Sequence, residues 1–121
     1  MDGVPYGDYL TFCRGDLLGI IWAESRFDCS VRGDGDLSRG CLQIYAVAHP
    51  SITDAQAFDL RWSAAWTLHR MTVGYGWMPR TTNGKANRYA ISKHNGSGLA
   101  AQAYAAKVVE KSNSFIELYG L

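Results

Sequence analysis

The run Leu17-Leu-Gly-Ile-Ile-Trp-Ala-Glu-Ser-Arg-Phe27 places a carboxylate in the middle of an apolar pattern. From Tyr9 to Phe27, apolar or aromatic residues recur at Leu10, Cys13, Leu17, Ile20 and Phe27. These steps of three, four or seven mark one face of an amphipathic helix. Glu24 falls on that same face, between Ile20 and Phe27. A carboxyl group buried against apolar neighbours loses the hydration of its charged form, so its pKa rises and it can hold a proton near neutral pH. The competing expectation for Glu24 is an ordinary helix-end residue that reaches solvent or pairs with Arg26 or Arg39.

Beyond this helix the text changes character. Cys29 to Gly40 is rich in Gly, Asp and Ser, which favour turns and positive φ, so an irregular loop or short hairpin is expected around residues 30–44. Leu42 to Ala48 is a short apolar stretch closed by His49-Pro50. Thr53-Asp54 then reads as the N-cap of a well-buried helix running through Trp62, Ala65, Trp66 and His69 to about Met71. Residues 74–84 form a connection, Lys85 to His94 resumes a helical pattern, and Asn95-Gly-Ser-Gly98 breaks it. An Ala-rich helix from Leu99 to about Leu118 turns Tyr104, Val108 and Phe115 inward. With strand signal nearly absent outside the loop, the fold class is mainly α.

The length of 121 residues suits one domain, residues 1–121, with a sizeable core. Hydrophobic residues at 47% and charged residues at 19% are those of a folded globule rather than a disordered chain. A formal net charge of +1 supplies no global field to draw in polyanions, so no nucleic-acid partner is expected. The longest apolar run, Leu17 to Ala23, is far too short for a membrane span, and a monomer is expected. Met-Asp-Gly-Val-Pro at the start shows no basic or apolar leader region. Two readings follow: a cytoplasmic protein, or the mature or excised part of an exported one.

Other chemistries fail on spacing. Asp34-Gly-Asp36 puts carboxylates at positions one and three of a calcium loop, but positions six and twelve are Arg39 and Tyr45 instead of Gly and Glu. His49, His69 and His94 are scattered, without the i, i+4 spacing of a helical zinc site, and Cys29 and Cys41 lack a matching pair, so no metal is expected. No phosphate-binding glycine loop or serine nucleophile elbow occurs, and no cofactor is expected. The aromatic residues (4 Trp, 7 Tyr and 4 Phe) serve a core or stack on sugar rings.

Four segments in order carry a resemblance: Ile21-Trp-Ala-Glu-Ser-Arg-Phe-Asp28, Ser38-Arg-Gly-Cys-Leu-Gln-Ile44, Ile91-Ser-Lys-His-Asn-Gly-Ser-Gly98, and Tyr104 leading to Lys107-Val108. Together they resemble the catalytic domain of the soluble lytic transglycosylases, relatives of goose-type lysozyme. That family has a Glu-Ser pair ending a helix, a Gly-Leu-Met-Gln-Ile type segment, an Ala-Tyr-Asn-x-Gly segment and a Tyr in the last helix. The resemblance spans Leu17 to Val109. It departs from the family at His94, where Tyr is usual, at Lys93, where Ala is, and at Cys41-Leu42, where Leu-Met is.

The resemblance implies a single lysozyme-like domain that cuts the peptidoglycan glycan strand, with Glu24 as general acid and base. It further implies that Ser25, Gln43, His94, Asn95 and Tyr104 line the sugar site, and that the product ends in an anhydromuramyl group. Two alternatives stay open. A true lysozyme would use water and a second carboxylate, for which Asp34 and Asp36 are the candidates. A noncatalytic glycan-binding module would bind without cutting. For Gln43 the competing role is to cap backbone groups of its own loop. The implied substrate places the domain in the cell envelope or outside the cell, where a Cys29–Cys41 bridge is expected. Three reduced, buried thiols are the alternative.

Overall fold

The computed structural model describes residues 14–77 and 86–119. The expected helix residues Leu10 and Cys13, and the expected helix start at Lys85, lie outside them. The described chain is mainly helical. Its helices are α1 (Arg14–Ser25), α2 (Asp54–Phe58), α3 (Leu60–Tyr75), α4 (Arg88–His94) and α5 (Leu99–Tyr119). Three two-residue strands lie between α1 and α2: β1 (Arg32–Gly33), β2 (Ser38–Arg39) and β3 (Ile44–Tyr45).

The first helix stops earlier than its apolar period. Arg26 and Phe27 take left-handed φ values of 53° and 66°, so Phe27 leaves the helical face and stands exposed, edge-on to the Phe115 ring at 5.9 Å. What remains of α1 packs along α5. Gly19 permits the close crossing: a Cβ there would lie 2.6 Å from the Val108 carbonyl oxygen, a backbone atom that cannot swing aside. Asp16, buried at the same contact, accepts a hydrogen bond from the Ser112 hydroxyl at 2.7 Å and another from the Trp77 indole at 3.4 Å.

The loop after α1 folds into an antiparallel sheet of order β1-β2-β3, with Arg32 opposite Arg39 and Arg39 opposite Ile44. Asp34, Gly35 and Asp36 all have positive φ in the first turn, as the run of turn formers requires. In the second turn Gly40 combines a φ of 79° with an approach to the Ala57 carbonyl that leaves no room for a side chain. Cys29 and Cys41 are disulfide-bonded and tie the exit of α1 to this turn.

Thr53 caps α2 as its sequence predicts, through a reciprocal box: its hydroxyl accepts from Gln56 N and the Gln56 side chain accepts from Thr53 N. The single long helix expected from here is broken. Asp59 leaves helical geometry (ψ 115°) and its carboxylate accepts from Trp62 N at 2.7 Å, starting α3 afresh. Left-handed Gly76 ends α3 four residues beyond the expected Met71. One core cluster joins these elements, including Ile20 of α1, Leu42 of the loop, Leu68 and Met71 of α3, Ile91 of α4 and Val108 of α5. Among the described residues no helix is long and apolar enough to cross a membrane.

Candidate active site

Glu24 is the penultimate residue of α1, beside the point where the chain turns left-handed. Its side chain is only 15% exposed. Two residues from other helices converge on one of its oxygens. The Tyr104 hydroxyl of α5 donates to Oε1 at 2.8 Å, and His94 Nε2, at the end of α4, stands 3.6 Å from the same atom. Neither expected arginine pairs with the carboxyl group. Arg26 lies 3.6 Å over the Trp22 ring and donates to the Trp22 carbonyl, whereas buried Arg39 donates to Asp54 and to the carbonyls of Ile44 and Ile52.

Among the described residues no arginine or lysine pairs with Glu24, and burial dominates. Desolvation pushes the Glu24 pKa up to about 7, and the nearby Asp34 charge adds to the rise, while the Tyr104 hydrogen bond opposes both. Burial, then the charge and hydrogen bond of Glu24, hold the Tyr104 phenol well above its ordinary range, so it remains a donor. His94 is pushed the other way, down to about 4, by burial first and then by the charges of Arg70 and His49. A neutral imidazole beside Glu24 at neutral pH leaves the carboxyl group's raised pKa intact.

The other expected site residues are distributed around this centre. The buried Ser25 hydroxyl donates to the Ile21 carbonyl at 3.1 Å, one turn back in its own helix. Gln43 sits at a φ of 51° with its amide nitrogen donating to Gly40 O at 2.8 Å and Val31 O at 3.3 Å. Its donor thus serves the loop, which is the competing role set out for it. Asn95 caps the end of α4 and is exposed, next in the chain to His94. Asp34 accepts from the Ser38 hydroxyl at 2.6 Å while its charge reaches Glu24. Asp36 is exposed in the β1–β2 turn.

Sequence reasoning missed Arg70. It lies one helical turn beyond Trp66 on α3, with its guanidinium 5.8 Å from the Trp66 ring centroid and 5.7 Å from that of Tyr75. The Trp66/Arg70 spacing of four was the available signal, but it marks any stacked pair on a helix surface.

Comparison of the chain with protein-family models, curated proteins and solved structures finds no match. The geometry and the motif resemblance therefore carry the functional reading.

Proposed function

We propose that this chain is a lytic transglycosylase that cleaves the peptidoglycan glycan strand between N-acetylmuramic acid and N-acetylglucosamine. It would act in the cell envelope or outside the cell. The observation that carries the reading is one carboxyl group, Glu24, 15% exposed at the end of α1 and held by the Tyr104 hydroxyl at 2.8 Å, with no arginine or lysine paired to it among the described residues, so that burial raises its pKa to about 7. A pKa near the working pH lets one group give a proton in one step and take one in the next.

In the first step protonated Glu24 delivers its proton to the glycosidic oxygen. The bond to the anomeric carbon of N-acetylmuramic acid breaks, and its electron pair leaves with that oxygen. In the second step the resulting carboxylate removes the proton of the same sugar's C6 hydroxyl as O6 bonds to the anomeric carbon. This closes the anhydro ring and returns Glu24 to its protonated state. Because the nucleophile belongs to the substrate, no second carboxylate is needed. The Tyr104 hydroxyl, bound to Oε1, leaves Oε2 to carry the travelling proton.

A second reading, hydrolysis, is favoured by one observation: the Asp34 charge is felt at Glu24, where a second carboxylate could assist water. Digestion of purified sacculi followed by mass analysis separates the two. Transglycosylation yields anhydromuramyl ends and hydrolysis yields reducing ends, while undigested sacculi would refute both.

A further inference from the structure

We infer that the Cys29–Cys41 disulfide is a redox switch for Glu24. Intact, it holds Phe27 away from the carboxyl group; reduced, it lets α1 lengthen through Phe27 and cover that group. The apolar period of α1 runs through Leu17, Ile20 and Phe27, with Glu24 on the same face. A helix continued by two residues would set the Phe27 ring one turn beyond Glu24, at the i+3 spacing where side chains meet. The structure stops short of this. Arg26 and Phe27 take φ values of 53° and 66°, and Phe27 is 48% exposed. Side chains larger than glycine enter the left-handed region at a cost, and two in succession persist only where their surroundings dictate it.

The bonds nearest this pair are local. Arg26 N donates to Trp22 O at 3.1 Å, Asp28 N to Ser25 O at 3.0 Å and Val31 N to Asp28 O at 3.3 Å. The Asp28 carboxylate accepts from the amide and hydroxyl of Ser30, within the same turn. The Phe27 ring meets Phe115 at 5.9 Å, a noncovalent contact at the surface. The firm anchor is Cys41, 2% exposed beside fully buried Leu42 and bonded to Cys29, two residues after Phe27. Val31 is held separately, its carbonyl accepting from Gly40 N at 3.0 Å and from Gln43 Nε2 at 3.3 Å. Cutting the bridge therefore frees residues 26–30 while the rest of the loop stays fastened, and Arg26, a good helix former, can return to helical geometry.

The covalent step is thiol–disulfide exchange with a dithiol reductant. One thiolate of the reductant attacks Sγ of Cys29, which is less buried than Cys41. The Cys41 sulfur leaves with the electron pair of the S–S bond and takes up a proton. The second thiol of the reductant, deprotonated, then attacks its own partner sulfur in the mixed disulfide and releases Cys29, which also takes up a proton. Two electrons and two protons have passed to the protein, and the reductant ends as a disulfide. Glu24 is thus covered in a reducing compartment and open in an oxidising one. The consequence for cleavage rests on the proposed glycan-cleaving function; the change in α1 is measurable without it.

The intact protein, isotope-labelled, would be compared by NMR before and after reduction with dithiothreitol, and both forms assayed on purified sacculi. Reduction should bring up the contact between Glu24 Hα and Phe27 Hβ that marks an added helical turn. Fragment release should fall about tenfold, the loss expected when roughly ten molecules are closed for each open one, and return on reoxidation. In Phe27→Ala, which has no ring to cover Glu24, the reduced protein should keep most of its rate. A reduced protein that stays folded without the Glu24–Phe27 contact overturns the switch, and so does one that unfolds outright, since the bridge would then be only a staple. An equal loss of rate in reduced wild type and reduced Phe27→Ala overturns the covering role of Phe27. Sacculi left uncut by the oxidised protein, alongside the added turn on reduction, would refute the cleaving function and keep the conformational switch. Cutting at the same rate in both redox states would do the reverse.

Discussion

Burial of one carboxyl group costs stability, and the sign of that cost fixes the response to pH. Folding raises the Glu24 pKa from 4.5 to about 7, so between those values the unfolded chain gives up its proton first. The penalty is absent below about pH 4, grows as pH rises through this window, and levels off above pH 7 at about 3 kcal/mol. Glu24→Gln removes it. The variant should melt higher than wild type at pH 8, with the difference closing near pH 4; calorimetry at both values checks this. Tyr104 acts on the same group in the opposite sense, since its hydrogen bond lowers the Glu24 pKa. Tyr104→Phe should lower kcat and carry the alkaline limb of the kcat/KM profile upward by roughly half to one pH unit. Lost activity with an unmoved limb would mean that Tyr104 acts on the ligand instead of on Glu24.

The α1–α5 crossing holds the Glu24–Tyr104 pair, two residues 80 positions apart in the chain. Gly19→Ala would return about 1 kcal/mol of helix propensity but drive a Cβ against backbone at Val108, and overpacking of this kind costs about 1–3 kcal/mol. Because the obstructing atom is a carbonyl, the collision should win. The melting temperature should fall, and activity should fall with it as Tyr104 withdraws. An unchanged melting temperature would mean that the helices can separate without cost. This element also shows what the sequence reveals. The periodic face through Leu17, Ile20 and Glu24 was readable because it depends on local spacing. Phe27 fits the same period yet leaves the helix because Arg26 and Phe27 both take left-handed φ values, which the spacing of apolar residues does not encode. Asp59 breaks the next helix by capping Trp62, a choice its place in a helical pattern conceals.

Across the whole molecule, Glu24, His94 and Tyr104 come from three helices. No periodicity joins them, and only the motif resemblance anticipated the grouping. The Cys29–Cys41 bridge fastens the loop to α1, with a sequence separation of 12. Its loop closure is worth about 3 kcal/mol in the chain-entropy model. Reductant should therefore lower the melting temperature by several degrees. The denatured chain, which has 3 cysteines, should titrate one thiol before reduction and three after it; three before reduction would refute the bridge. The claim on which the whole account rests is that Glu24 moves both protons. The direct measurement is the initial rate of soluble fragment release from purified sacculi by wild type and Glu24→Gln, compared at a pH where both are folded. Loss of one acid–base group costs about 100 to 10,000-fold, and a group serving two steps should fall at or above the upper end. A Glu24→Gln rate above about a tenth of wild type, well inside that range, would contradict the account.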